Sequence, residues 1–439
     1  MDATRAARYW RDVRWLAVLL VASTAHAGGF GIPEIGVRRT AMGAVIGRPD
    51  DPSALYHNPA GLVLEDDWTV YISAGVSLLS TSFQLAPWDN GNSSQLLGVQ
   101  PGADGYYAAI SPSRAFGVIP MIAVAGKILP KLHVGAAVFV GNATGAAFPA
   151  DAVTRYHLID GYVVAPEAVV GAAYQVLPTL ALGATVGAID VIVHGEQDVY
   201  PVVNGMNVSG IFGTAPRITL DGNGWAPAWS VGAFGTPHPR VTWGAAIIGR
   251  VDATLHGPVA LTYSNDAPDP GTVNGLQTTS EMLPWTFQAG ANVDVTPNVE
   301  VGAELRYWLY RQLHDQDTQL AGIYFVRELD TVKNYHDSQE VSGGVRVHDL
   351  VPQLDLMMGG QYDHSPAPPQ TLTLSSPSFS HVGLHSGVRY SFGRYRVGAS
   401  YIHYWYEVPT VTDSITSPPT NFRGSGSNNI LTVSIEVKL

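Results

Sequence analysis

Stretch after stretch of this chain alternates apolar and polar residues with a period of two. At the carboxyl end Leu431, Val433, Ile435, Val437 and Leu439 share one face, while Thr432, Ser434, Glu436 and Lys438 share the other. Trp285, Phe287, Ala289, Ala291, Val293 and Val295 alternate in the same way with Thr286, Gln288, Gly290, Asn292 and Asp294. Two is the side-chain period of a β-strand. No stretch after Gly28 reaches 18 consecutive apolar residues, so no membrane-spanning helix is expected there. Charged residues make up only 14% of the chain, against about 25% in a typical soluble domain. One-sided strands with so little charge predict an all-β chain folded as an antiparallel transmembrane β-barrel, its outer face solvated by lipid.

The alternation marks about fourteen strands, near 67–83, 117–128, 132–142, 162–176, 179–195, 217–235, 240–258, 281–295, 298–312, 339–348, 353–363, 380–392, 395–409 and 428–439. Most exceed the roughly 9–11 residues that a tilted strand needs to cross a bilayer. Tight turns at Leu129-Pro130-Lys131, Leu177-Pro178, Thr236-Pro237-His238-Pro239, Thr296-Pro297, Asp349-Leu350 and Gly393-Arg394 alternate with long loops near 84–116, 143–161, 196–216, 259–280, 313–338, 364–379 and 410–427. Short turns at one end and long loops at the other are the pattern of an even-stranded barrel. A soluble β-sandwich would have shorter strands and no such regularity.

The first 27 residues read as a cleaved signal peptide. Arg5, Arg8, Arg11 and Arg14 precede an apolar run from Trp15 to Val21, and Ala25-His26-Ala27 is an A-x-A cleavage site. Zero cysteines fit an oxidising, exported setting and leave no disulfide framework. A formal charge of −12 argues against nucleic acid as a partner. Residues 28–66 carry Gly and Pro without a sustained strand or helix period and precede the strands at 67–439. A barrel of this size leaves an open lumen unless something fills it, so 28–66 is expected inside as a plug.

The chain resembles the FadL/TodX family of outer-membrane transporters for long-chain fatty acids and other hydrophobic compounds. The resemblance rests on Asp50-Asp51 through Asn58-Pro59-Ala60-Gly61-Leu62, on Pro284-Trp285 through Trp308, and on Tyr362-Asp363-His364-Ser365-Pro366 ahead of a Pro-rich loop. The chain departs from the family in ending at Leu439 rather than at an aromatic residue. The resemblance implies a bacterial outer-membrane location, a fourteen-stranded barrel with an N-terminal hatch, and capture of a hydrophobic ligand by outer loops. It also implies a lateral exit into outer-membrane lipid through a kinked third strand. Uptake of aromatic hydrocarbons, or a non-transporting structural or adhesive barrel, are the alternatives.

Candidate residues follow. Asn58, Pro59, Ala60 and Gly61 read as a plug turn that seals the channel or touches ligand, or as an ordinary turn. Asp50 and Asp51 would pair with inward arginines, since an isolated charge inside the barrel is costly. The alternation puts Arg250, Asp252, Glu300, Glu304, Arg306, Arg346 and Arg389 inside. Of these, Arg250, Arg306, Arg346 and Arg389 could hold the plug or bind a ligand carboxylate. Gly135, Gly141 and Gly145 mark a bend in the third strand or merely reflect abundant glycine. Leu96, Leu97, Ile323, Tyr324 and Phe325 are apolar for loop residues and could capture a lipid or pack against other loops. His381 and His385 lack metal-binding spacing, and Asp266 with Asp269 offers too few oxygens for calcium. No cofactor motif and no nucleophile–base set is present, so an enzyme is not expected; the barrel is expected to act as a monomer.

Overall fold

The computed structural model describes residues 29, 31–88, 92–113, 116–200, 202–203, 206–207, 215–263, 271–323 and 326–439. The expected signal peptide, Tyr324, Phe325, Asp266 and Asp269 lie outside the described residues.

Fourteen antiparallel strands form a closed barrel. The first, Thr69–Leu85, pairs on one side with the second, Phe116–Leu129, and on the other with the last, Phe422–Lys438. The third to sixth strands are Leu132–Ala147, Asp160–Leu177, Leu180–Asp198 and Arg217–His238. The ninth to thirteenth are Val299–Trp308, Ser338–His348, Leu354–Asp363, His381–Phe392 and Tyr395–Tyr406. Along the first strand inward residues such as Tyr71, Ser73 and Ser77 are buried, while Ile72, Val76 and Leu78 are exposed. The exposed set continues round the barrel through Ile122, Val170, Val186, Val301 and Leu431, giving the apolar belt that lipid requires.

The seventh and eighth strands depart from the expected continuous runs. Each is in two pieces, Val241–Ile248 with Val251–Tyr263 and Gly271–Leu283 with Thr286–Thr296. The breaks at Gly249-Arg250 and Pro284-Trp285 face each other, because Ile248 pairs with Thr286 and Val251 with Leu283. Proline cannot donate to a ladder, and each two-residue break reverses the side-chain phase. Thr242, Gly244 and Ala246 point inward before the break; Val251, Ala253 and Leu255 do so after it. Asp252, expected inside, therefore lies exposed and pairs with Arg250. Most of the expected loop 259–280 is strand, paired from Val251 to Tyr263 with Gly271 to Leu283. Its outward face carries Asp252, Thr254, His256, Thr272 and Asn274. A wall standing above the lipid needs no apolar face, so the pattern that marks strands in the bilayer fades there.

Residues 31–62 fill the lumen, and nearly all are buried. They form short turns of helix, Val37–Met42 and Ala54–His57, and a 3₁₀ turn, Pro59–Leu64. The wall makes room for them with glycine. A Cβ on Gly359 would lie 2.0 Å from the Met42 carbonyl oxygen, and one on Gly232 2.1 Å from Asn58 Oδ1. Deleting residues 31–62 should thus leave a barrel that inserts but conducts small ions in planar bilayers. An unchanged, closed conductance would show that the segment does not occlude the lumen.

Candidate functional site

The plug is held by a network of buried charges. Arg38 donates to Asp50 at 3.1 Å and also to Glu300 on the ninth strand. Arg39 donates to Glu340 at 2.5 Å and Gln361 at 2.9 Å, and its Nε lies 3.4 Å from Glu304. Glu304 also accepts the backbone N–H groups of Val45 and Ile46 at 2.7 and 3.0 Å. Asp50 is gripped by both Nη atoms of Arg389 at 2.9 Å, a bidentate pair. Asp51 plays a different part: it accepts Ser53 N–H at 2.9 Å and sits 4.0 Å from Arg389.

The four nominated arginines divide. Arg306 donates to Glu304 at 3.2 Å and lies 3.2 Å from His57 Nδ1. Arg346 bridges Glu300 and Asp355, each at 3.1 Å. Arg389 holds Asp50 and Asp355. Arg250 sits apart at the break in the seventh strand, bonded to Asp252 and Gln312. Asn58 stitches the plug turn to the wall, its Nδ2 donating to Ala233 O at 3.0 Å and Ile46 O at 3.3 Å. Its Oδ1 accepts Ala60 N–H and caps the 3₁₀ turn that Pro59 opens. Gly61 is needed for close approach, since a Cβ there would lie 2.1 Å from Pro49.

The second and third strands pair only as far as Met121–Phe139. Beyond that point the third strand still pairs with the fourth, through a bulge between Val140 and Asn142. Its freed edge is met from inside: Ile32 N–H donates to Gly141 O at 2.8 Å, and Gly31 bridges Asn142. Gly141 thus lies at the bend, while Gly135 and Gly145 sit in regular ladder opposite Gly171 and Tyr162.

Two cavities adjoin these elements. An outer one of about 580 Å³ lies among the long loops and is lined by Tyr162, Val193, Tyr200, Val326, Lys333 and Thr420, among others. Burial lowers the Lys333 ammonium, against the pull of Glu281. Burial also pushes His157, packed on Trp88, down to about 3. A narrow inner one, about 50 Å³, lies between plug and wall, lined by Leu55, Tyr56, Phe139, Glu167, Trp229 and Leu283, among others. Of the residues nominated for capture, the described ones, Leu96, Leu97 and Ile323, do not line the outer cavity. Leu97 and Ile323 are buried in loop packing and Leu96 is half-buried, while Val326, further along the same apolar run, does line it. The inner cavity was not legible in advance; the residues of its lining that could have signalled it are Pro284 and Gly249.

Two outcomes are expected here. Asp50→Ala should destabilise the barrel by about 3–5 kcal/mol, because it strands buried arginines. Adding Arg389→Met should recover part of that loss in a urea-unfolding cycle, whereas strict additivity would deny the coupling. His157 is held neutral in the fold with a value below that of a free histidine. The loop 148–159 should therefore open more as pH falls from about 6.5 towards 3, by up to about tenfold per pH unit. Hydrogen exchange reads this, and His157→Phe should flatten it.

Compared with known proteins, the family described as outer membrane protein transport protein (OMPP1/FadL/TodX) matches residues 18–438. No curated protein matches by sequence. Among solved structures, a Pseudomonas aeruginosa FadL homologue is similar with a TM-score of 0.77 at 15% identity, over 93% of this chain and 99% of the other. The Pseudomonas putida toluene transporter TodX gives 0.69 at 16%, over 96% and 100%. The Ralstonia pickettii toluene transporter TbuX gives 0.65 at 15%, over 94% and 99%. At these identities the structures speak for the fold, a lipid-belted barrel with a filled lumen. The family match covers almost the whole chain, and the chain belongs to the FadL/TodX family of outer-membrane transport proteins, not to an enzyme family.

Proposed function

We propose that this protein takes up hydrophobic small molecules passively, catching them in the outer cavity and releasing them sideways into lipid where the second and third strands part. The observation that carries this reading is the ladder that stops at Met121–Phe139 while the third strand runs on. Phe139 and Asn142, at that gap, also line the passage between plug and wall. At about 580 Å³ the outer cavity suits a whole small ligand. The inner passage, at about 50 Å³, is a constriction that the plug must widen. An apolar ligand lowers its free energy by leaving into hydrocarbon instead of crossing water. The domain limits 1–27, 28–66 and 67–439 fit this scheme.

Long-chain fatty acids and aromatic hydrocarbons both belong to the family's range. The arginines at 306, 346 and 389 are already bonded to carboxylates. That commitment favours an uncharged ligand over a fatty-acid carboxylate, and TodX and TbuX are themselves toluene transporters.

The chain has no native cysteine, so an engineered pair is unambiguous. Pro120→Cys with Val140→Cys adds the next rung above Met121–Phe139. Once oxidised, the pair should cut uptake of labelled toluene by whole cells at least tenfold and leave binding to the purified barrel intact; reductant should restore uptake. Uptake that persists with the bridge verified would rule out this exit.

A further inference from the structure

The inner cavity holds one carboxylate without a hydrogen-bonded or ion-paired partner among the described residues. Glu167, on the fourth strand, lines it and is half-buried. Among the described residues it makes no hydrogen bond and no ion pair. Its partners across the two ladders are Phe139 and Ile189, both apolar. Tyr56, also on the passage, spends its hydroxyl on Ile32 O at 3.2 Å. The other charged residue in the lining is Arg306. It is bound to Glu304 and His57 and shares Glu340 with Arg39. Arg39 and Arg306 are balanced there by Glu304 and Glu340, so no positive charge is left over for a ligand.

Resting on the uptake reading above, we propose that Glu167 selects the polar end of the ligand. On that reading the ligand nears the wall gap through the narrow inner cavity, where Glu167 stands beside Phe139 and Asn142. A hydroxyl on the ligand gives Glu167 the donor it lacks, in a charge-assisted hydrogen bond. A second carboxylate there meets like charge in a poorly hydrated space, which disfavours both ionised forms. A pure hydrocarbon passes but leaves the acceptor unmet. The favoured substrates are hydrophobic alcohols or phenols, with hydrocarbons next and fatty-acid carboxylates last.

The test uses the full-length protein in cells otherwise lacking such a channel, with three probes of one chain length: labelled 1-dodecanol, dodecane and dodecanoate at pH 8, each above a protein-free control. Wild type should rank dodecanol over dodecane over dodecanoate. Glu167→Gln, which keeps size and acceptor while removing charge, should raise dodecanoate uptake about tenfold and leave dodecanol within threefold. Glu167→Leu should remove the advantage of dodecanol over dodecane, and it serves if the glutamine variant fails to assemble. Wild type that takes dodecanoate as readily as dodecanol, or variants that leave the ranking unchanged, would overturn the proposal. Wild type that takes up none of the three would instead overturn the uptake reading on which it stands.

Discussion

The structure depends on charges buried where water cannot reach them. Arg38, Arg39, Arg306 and Arg389 are almost fully inaccessible, and each finds a carboxylate on the opposite side of the plug–wall boundary or beside it. Such pairs add little net stability over an apolar core of equal fit. What they add is position. Asp50 can satisfy Arg38 and Arg389 together only when the plug sits in one place, and Glu304 takes two plug N–H groups only in that same seat. A greasy plug could slide; this one is keyed.

Keying the plug determines where the wall can be open. The segment ahead of Val37 is drawn against the third strand, where Ile32 meets Gly141. The edge released from the second strand is therefore not left bare inside. On the far side, Trp229 lies on the outward face yet borders the inner passage, because Gly249 has no side chain to shut it out. The same glycine-for-space exchange seats Asn58 and Met42. Plug and wall are one packing problem, solved by small residues on the strands and by charged ones at the seams.

Much of this was written plainly in the chain. Period-two alternation marked every strand that lipid faces, and the alternation of short and long connections marked the ends. Pairing of Asp50 with an inward arginine followed from the cost of a lone buried charge. The hidden parts share a cause: each lies where the simple pattern stops applying. The upper parts of the seventh and eighth strands carry polar residues on their outward face, so Thr262, Thr272 and Asn274 read as loop. The breaks at Gly249-Arg250 and Pro284-Trp285 reverse the phase, so extrapolation carried Asp252 to the wrong side. Leu97 and Ile323 looked exposed because loop-on-loop packing leaves no periodic trace. The inner passage arises from distant segments, and no local pattern announces it.

In the proposed route, ligand travels between plug and wall. A structure of the barrel purified from membranes with bound toluene or 1-dodecanol tests it most directly. Density running from the outer cavity past Tyr56, Glu167 and Phe139 towards Gly141 is the expected result. Ligand density through the middle of a displaced plug towards the short-turn end, with the inner passage empty, would contradict it.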